Sequence, residues 1–215
     1  MDESRIIKYY SPKDPRIAIK VINGHFATPN SHVNSYLDMT TMKTRANEAE
    51  RIAVAMTTYY NLLDKPIDTI VSMDGTGVIG AYLAKELTAA GVLSTNAHKT
   101  IYVVTPEFGP EGMMIFRDNL KPEITGKNVL LLVASTSTGK TINAALNCIA
   151  YYGGIVQGIS AIFSNTDSIQ GYHIDALFHE EDIPNYQAYQ THDCPFCKEG
   201  NPIEAIVNGH GYSLL

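Results

Sequence analysis

Apolar positions change their spacing several times along the chain, and each change marks a predicted element. Over residues 44–63 they recur every three or four residues, as on one face of an amphipathic helix. Helical spacing returns over residues 78–90 and 141–152. Four short runs are apolar without alternation, which is typical of strands buried on both faces. They lie at residues 69–73, 101–104, 128–133 and 155–163.

The order of these elements predicts an α/β fold. Strands that alternate with helices favour a parallel sheet, and fully apolar strands require helices on both faces. We expect an N-terminal hood over residues 1–43, with one strand-like run at residues 17–22, and an α/β core over residues 44–165. Residues 166–215 lose the pattern and are expected to form an irregular C-terminal tail that returns to the hood. Residues 106–112 contain Gly and Pro without a period and are expected to form a long flexible loop.

Composition and charge narrow the function classes. Hydrophobic residues make up 45% and charged residues 18% of the chain, an ordinary globular composition. The net charge is -6, and no run of Lys or Arg offers the basic surface that binding to a nucleic-acid backbone needs. No stretch approaches the roughly 18 apolar residues of a membrane span, and no apolar leader follows the charged N-terminus. The expected protein is cytoplasmic and binds neither nucleic acid nor membrane.

A segment rich in hydroxyl groups connects the third predicted core strand to the next helix. From residue 134 it reads Ala-Ser-Thr-Ser-Thr-Gly-Lys-Thr. A turn between the carboxyl end of a strand and the amino end of a helix presents free backbone N–H groups and the positive end of the helix dipole. The alternative is that the hydroxyl side chains only cap the helix. We predict phosphate binding by Ser135, Thr136, Ser137, Thr138, Gly139, Lys140 and Thr141.

The same segment partly matches the P-loop of nucleoside triphosphatases. Gly139, Lys140 and Thr141 match the end of the pattern G-x-x-x-x-G-K-[ST], but Ala134 replaces its first Gly. The segment also follows the third strand of the series, and no later strand ends in a convincing magnesium-binding Asp. A P-loop nucleoside triphosphatase stays open as the weaker alternative.

Four segments of the sequence resemble the orotate phosphoribosyltransferases in order and spacing. They are residues 24–36, 70–87, 126–141 and 194–202, so the resemblance spans most of the chain. It implies the type I phosphoribosyltransferase fold, with a parallel sheet, a hood and a homodimeric assembly. It also implies that the segment ending at Thr141 holds the 5′-phosphate of phosphoribosyl pyrophosphate or of a nucleotide.

The resemblance assigns a second loop to pyrophosphate binding. This loop consists of Asp74, Gly75, Thr76 and Gly77, and Mg²⁺ is the cofactor that an active enzyme of this family would use. A carboxylate repels pyrophosphate unless a Mg²⁺ ion lies between them. Asp74 is equally suited to cap the helix that follows, and we favour that interpretation.

The sequence departs from the family where the transfer chemistry takes place. The family's acidic pair, which binds the ribose hydroxyls, falls on Val133 and Ala134. The family's mobile loop carries basic residues, whereas no Lys or Arg stands between Lys99 and Arg117, and Glu107 and Glu111 add negative charge. The alternative is that His98, Lys99 and Arg117 serve from the edges of the loop. The segment that would recognise orotate also departs from the family at residues 29–31. Two functions stay open: phosphoribosyl transfer to a nucleobase, or non-catalytic sensing of a phosphate or nucleotide ligand on the same fold.

Two of the three cysteines have the spacing of a zinc knuckle. Cys194 and Cys197 are separated by two residues, and His192 and His210 are candidates for further ligands. Because the same Cys-Pro-x-Cys stretch belongs to the structural tail of the transferases that this chain resembles, we predict no bound metal. Cys148 lies on an apolar helical face and is predicted to lie in the core.

Overall fold

The computed structural model describes residues 3–60, 66–89, 96, 100–109, 113–136 and 139–215. The strands are β1 (Ile6–Tyr10), β2 (Ala18–Ala27), β3 (His32–Asp38), β4 (Thr69–Ser72), β5 (Tyr102–Val104), β6 (Glu107–Phe108), β7 (Met114–Ile115), β8 (Asn128–Thr136), β9 (Ile155–Ser164), β10 (Ser168–Ile169), β11 (Tyr172–His179), β12 (Ala188–Tyr189), β13 (Ala205–Asn208) and β14 (Gly211–Leu214). The helices are α1 (Thr40–Thr44), α2 (Ala46–Tyr60), α3 (Gly77–Ala89), α4 (Lys140–Tyr151) and α5 (Pro195–Lys198).

The core sheet has the strand order β10-β11-β9-β8-β4-β5 in the described part of the chain. The last five strands in this order run parallel, and β10 joins antiparallel at the edge. In chain order the parallel strands are arranged 2-1-3-4-5, as in doubly wound proteins such as flavodoxin. The winding direction reverses between β4 and β8. Ligands of such sheets bind beyond the carboxyl ends of the strands at this reversal.

Helices cover both faces of the core sheet, as predicted. Side chains along β8 alternate between two hydrophobic clusters. Leu130 and Leu132 pack in the cluster that contains residues of α2 and α3, whereas Leu131 and Val133 pack in the cluster that contains residues of α4. Because both faces of β8 are covered, its sequence is apolar without alternation.

The hood is a second sheet that joins the two ends of the chain. Its strand order is β12-β3-β2-β13-β14, and β1 also pairs with β2. The strands β12, β13 and β14 come from the C-terminal tail. Ala205 of β13 is aligned with Phe26 of β2 in a parallel pairing. The tail therefore returns to the hood as ordered strands.

Two expectations about the irregular regions need correction. The core does not end at residue 165, because β11 pairs in parallel with β9 over most of its length. Asp175 interrupts the apolar run of β11, so the sequence pattern did not predict this strand. In the structure the buried carboxylate of Asp175 forms an ion pair with Lys13, 2.5 Å away. The expected loop at residues 106–112 contains β6, which pairs antiparallel with β7, and residues 110–112 lie outside the described part. Among the described residues, no helix combines the length and apolar character needed to cross a bilayer.

Candidate functional site

A cleft of about 370 Å³ lies between the hood and the carboxyl ends of the core strands. The core contributes the ends of β4 and β8 and the start of α4, which is the point where the winding reverses. The hood contributes the turn between β2 and β3 and the turn between β13 and β14. The hood and the core sheet meet at this point, so the strand order of the core determines where the cleft lies.

Most of the predicted phosphate segment lines this cleft. Ser135 and Thr136 belong to β8, and α4 begins at Lys140, so only residues 137–139 connect the strand to the helix. Ser137 and Thr138 lie outside the described residues. A P-loop wraps its phosphate with a longer turn that begins at the position of Ala134, which here is buried inside β8. This geometry disfavours the nucleoside triphosphatase alternative.

The amino end of α4 faces the cleft, and no side chain of the described residues caps it. Gly139 occupies the N-cap position with a φ of 69°, a conformation that favours glycine. A Cβ at this position would also lie 2.8 Å from the Cδ1 of Ile169. Since glycine has no side chain, the N–H groups of the first turn of α4 are available to an anion.

Thr136 has an unusual hydroxyl group. The residue is buried and lines the cleft, yet its Oγ1 has no hydrogen-bond partner among the residues that the structure describes. A buried hydroxyl without a partner costs about 1 to 3 kcal/mol. A ligand oxygen in the cleft would supply that partner.

Asp74 also lines the cleft, just beyond the end of β4. Its φ is 55°, a strained conformation for a residue other than glycine. Burial raises the pKa of its carboxyl group, whereas a hydrogen bond from the backbone N–H of Ala134 and the nearby His210 and Lys43 act in the opposite direction. The helix α3 begins at Gly77, so Thr76 holds its N-cap position. The interpretation of Asp74 as the cap of this helix is therefore wrong.

The other three residues of the predicted pyrophosphate loop do not line the cleft. Thr76 is fully buried, and its hydroxyl donates to the carbonyl of Met73 at 2.7 Å. Gly75 is exposed with a φ of 77°. Of the four residues assigned to this loop, Asp74 alone lines the cleft.

Two basic side chains that were not assigned to this site surround Asp74. The ammonium group of Lys43 donates to the carbonyl of Asp74 at 3.0 Å and also to the carbonyl of Gly209. Burial lowers the pKa of Lys43. His210 reaches the cleft from the β13–β14 turn, whose geometry is held by a hydrogen bond from its own N–H to Asn208 Oδ1 at 2.8 Å. Sequence patterns carry no signal for Lys43, because it follows a short polar segment in the hood.

The residues at the family's acidic positions are buried and apolar. Val133 and Ala134 are each 1% exposed and pack in the two hydrophobic clusters. Arg117, one of the basic residues beside the expected loop, is engaged with Glu107 at 2.6 Å. His98, Lys99 and Glu111 lie outside the described residues. In the described part of that loop, the cleft receives the aromatic ring of Phe108.

Aromatic side chains form another wall of the cleft. Phe163 and Tyr186 pack edge to face, with ring centroids 4.9 Å apart, and both line the cleft with Tyr36 and Phe108. Burial, with a contribution from Asp38, raises the pKa of Tyr36 to about 12, so its hydroxyl stays protonated at neutral pH. The cleft thus combines one anion-binding end with apolar aromatic surface.

The cysteines of the predicted zinc knuckle lie outside this cleft. Cys194 and Cys197 meet His25 and His32 at the junction of the hood and the tail. His210, the candidate ligand from the sequence, belongs to the cleft instead. Cys148 is buried in the core, as predicted.

Comparison with known proteins agrees with this architecture. No family model matches the sequence. The orotate phosphoribosyltransferase of Caldicellulosiruptor saccharolyticus is 24% identical over 187 residues, which cover 85% of this chain and 87% of that protein. An adenine phosphoribosyltransferase of Neisseria meningitidis serogroup C is 32% identical over 123 residues, 54% of this chain and 64% of that protein.

A solved structure shows the same fold. The orotate phosphoribosyltransferase of Mycobacterium tuberculosis superposes with a TM-score of 0.51 at 15% identity, over 77% of this chain and 93% of that one. The chain therefore has the type I phosphoribosyltransferase fold and is similar in sequence to orotate and adenine phosphoribosyltransferases.

Proposed function

We propose that this protein binds a 5-phosphoribosyl ligand, either phosphoribosyl pyrophosphate or a nucleotide, in the cleft between hood and core. The proposal rests on two groups that line the cleft: the hydroxyl of Thr136 and the amino end of α4 at Gly139, neither of which has a side-chain partner among the described residues. A phosphate oxygen would accept hydrogen bonds from both groups and gain from the helix dipole. The relatives named as phosphoribosyltransferases support this choice of ligand.

The nucleobase of a nucleotide would lie against the aromatic wall. Phe108 is 55% exposed, although it lines the cleft, so its ring has surface available to a planar ligand. Stacking on such a ring adds about 0.5 to 1.5 kcal/mol beyond the burial of area. The identity of the base is not part of the proposal.

Asp74 is the residue that would hold Mg²⁺ beside a pyrophosphate group. Magnesium binds through one or two carboxylates together with phosphate oxygens of the ligand. The side chain of Asp74 meets that requirement in part, since it lines the cleft as its only carboxylate among the described residues. The ion would neutralise repulsion between Asp74 and the ligand.

Binding without turnover is the function that the site supports best. Transfer requires stabilisation of positive charge on the ribose and of the leaving pyrophosphate, and removal of one such partner costs about 3 to 4 kcal/mol. Val133 and Ala134 offer no charge, and Arg117 is already paired with Glu107. Phosphoribosyl transfer to a nucleobase is the second candidate. It is favoured by one observation, the contact of the Asp74 carboxylate with Ala134, one of the family's acidic positions.

A ligand panel separates these functions. The full chain would be heated with ribose 5-phosphate, nucleoside monophosphates, phosphoribosyl pyrophosphate with and without Mg²⁺, and ATP, while pyrophosphate release is followed with several bases. We expect stabilisation of about 2.7 kcal/mol at a ligand concentration 100-fold above Kd. Turnover with any base would establish the transferase instead, and hydrolysis of ATP would revive the nucleoside triphosphatase.

Thr136→Val is the variant that tests the site itself. It removes a buried hydroxyl that has no partner among the described residues, so the free protein should gain about 1 to 3 kcal/mol of stability while ligand affinity falls about tenfold. Thr69→Val is the matched control, because the Thr69 hydroxyl is also buried in a core strand but donates to the carbonyl of Glu123. The control should lose about 1 kcal/mol of stability and keep its ligand affinity. Equal affinity in Thr136→Val and the unchanged protein would overturn the proposal.

The cytoplasmic location and the homodimer that the sequence and its resemblance imply stay predictions. Size-exclusion chromatography with light scattering tests the second of them.

A further inference from the structure

Four side chains that can bind a metal ion meet where the hood joins the C-terminal tail. His25 comes from β2 and His32 from β3, whereas Cys194 precedes α5 and Cys197 lies within it. One ligand atom from each residue lies within 4.8 Å of the ligand atoms of the other three. The residues come from segments more than 160 positions apart in the chain.

Four of the six distances within this cluster match those between the corners of a tetrahedral zinc site, and the other two are at most 4.8 Å. Zn–S bonds of about 2.3 Å and Zn–N bonds of about 2.05 Å at tetrahedral angles place ligand atoms about 3.3 to 3.8 Å apart. His25 Nε2 lies 3.1 Å from His32 Nδ1 and 3.4 Å from Cys194 Sγ. Cys197 Sγ lies 3.7 Å from His25 Nε2 and 3.3 Å from His32 Nδ1. Each of these four separations is within about 0.3 Å of its tetrahedral value.

A bound metal ion explains the orientation of His25 better than hydrogen bonds alone do. Its Nδ1 lies 3.0 Å from the carbonyl of Asn201 and 3.2 Å from that of Pro202, so Nδ1 carries the proton and donates it. Nε2 therefore points a single lone pair into the cluster, where three heteroatoms surround it. One lone pair cannot accept hydrogen bonds from three donors at once. A backbone carbonyl that accepts from the outer nitrogen is the arrangement found around metal-binding histidines.

The ligand set identifies the ion. Two thiolates and two imidazoles in tetrahedral arrangement are typical of Zn²⁺, and mutual distances this short leave room for one ion. Three of the four residues are buried, and Cys197 is exposed. Four protein ligands leave no open position for substrate, so the site is of the structural kind.

We propose that His25, His32, Cys194 and Cys197 bind one Zn²⁺ ion that fastens the C-terminal tail to the hood. The two histidines flank the turn from Thr28 to Ser31, which the backbone N–H of Thr28 closes by donating to the carbonyl of Ser31 at 2.8 Å. Thr28, Pro29 and Asn30 in this turn line the cleft. The ion thus holds the base of a turn that forms part of the ligand site.

Metal analysis of the full chain tests this proposal. Protein purified with reductant, loaded with Zn²⁺ and dialysed should retain about one zinc per chain. A strong chelator should lower the thermal unfolding midpoint, and Zn²⁺ should restore it. Retention of less than about a tenth of an equivalent would overturn the proposal, as would an intramolecular Cys194–Cys197 disulfide in protein that has no metal.

Matched variants locate the ion. Cys197→Ser and His32→Gln should each lose at least tenfold in zinc affinity. Cys148→Ser and His192→Gln change the same residue types elsewhere, and each should retain one equivalent. Equal loss in the controls would overturn the assignment of ligands.

Cobalt substitution keeps the test independent of variants that fail to fold. Co²⁺ in the unchanged protein should give the intense visible bands of a tetrahedral ion with a thiolate charge-transfer band in the near ultraviolet. A weak octahedral spectrum without thiolate absorption would contradict the site. The readouts are metal content and spectra, so they do not depend on the ligand proposed for the cleft.

Discussion

The Asp74 carboxylate accepts a hydrogen bond from the backbone N–H of Ala134, which joins the loop after β4 to the end of β8. These are the two strands between which the winding of the sheet reverses. A carboxylate is therefore present next to the position of the family's acidic pair, although it comes from a different loop. This contact gives Asp74 a role in the cleft that its sequence position alone did not show.

Asp74→Asn should stabilise the free protein at neutral pH. Burial raises the pKa of Asp74, so the ionised form is disfavoured in the folded state, and stability falls as the pH rises through the folded pKa. Asparagine keeps an oxygen that can accept from Ala134 but carries no charge. We expect the thermal midpoint to rise by about 1 to 4 °C at pH 7 and to vary less with pH. Thermal unfolding from pH 4 to pH 8 measures both effects.

The same variant tests the proposed role in magnesium binding. Removal of the carboxylate should abolish the gain in affinity for phosphoribosyl pyrophosphate that Mg²⁺ provides. Ribose 5-phosphate has no pyrophosphate, so its affinity should change little. Calorimetry with and without Mg²⁺ distinguishes the two ligands, and an unchanged magnesium effect would contradict the assignment.

Phe108→Ala should weaken nucleotide binding without affecting the fold. An exposed ring contributes little to stability, whereas loss of stacking should reduce nucleotide affinity about twofold to tenfold. Met113→Ala is the control, because Met113 is 61% exposed near the same hairpin but does not line the cleft. Titration with a nucleoside monophosphate and with ribose 5-phosphate separates the base from the phosphate. A loss of affinity for both ligands would argue against stacking on this ring.

Gly209→Ala should disturb the cleft from the hood side. A Cβ on Gly209 would lie 2.6 Å from the Cβ and 2.8 Å from the Cγ of Asp74, and neither atom can move freely. We expect a loss of about 1 to 3 kcal/mol in the free energy of unfolding and a weaker magnesium effect. In Gly109→Ala the nearest atom lies 3.5 Å away, so that variant should retain the magnesium effect. Urea denaturation and calorimetry provide the two readouts.

Lys13→Met should destabilise the core sheet through β11. The variant leaves the buried carboxylate of Asp175 without its ion pair, although Lys13 itself is partly exposed. We expect a loss of about 1 to 3 kcal/mol, measured from the urea midpoint. Lys121→Met removes an exposed pair with Asp118 and should change stability by less than about 0.5 kcal/mol. Similar midpoints for the two variants would contradict the role of Asp175.

Elements with a distinct local pattern of apolar residues were predictable from the sequence. Continuous apolar runs identified β8 and β9, and the change of spacing placed α4 to within one residue at its start. In the candidate cleft, the sequence pointed to residues of one loop. Ser135, Thr136, Gly139, Lys140 and Thr141 do line the cleft, and their binding of phosphate stays a prediction. Lys43 and His210 were not assigned to this site, because only the folding of the hood over the core brings them to Asp74.

The same limit explains the metal ligands. Cys194 and Cys197 are close in sequence and show a spacing, whereas His25 and His32 reach them only through the pairing of the tail with the hood. No short motif connects residues that far apart. His192 was the neighbour in sequence, and it does not belong to the cluster.

The parallel pairing of β13 with β2 also bears on the order in which the chain folds. All strands of the core sheet lie between residues 69 and 179, whereas the hood needs segments from both ends of the chain. Contacts of such long sequence separation form slowly, because a large loop must close before they are made. During synthesis, the core can assemble while the last hood strands are still inside the ribosome. We therefore expect a nascent chain to have its phosphate-binding end before it has a closed cleft.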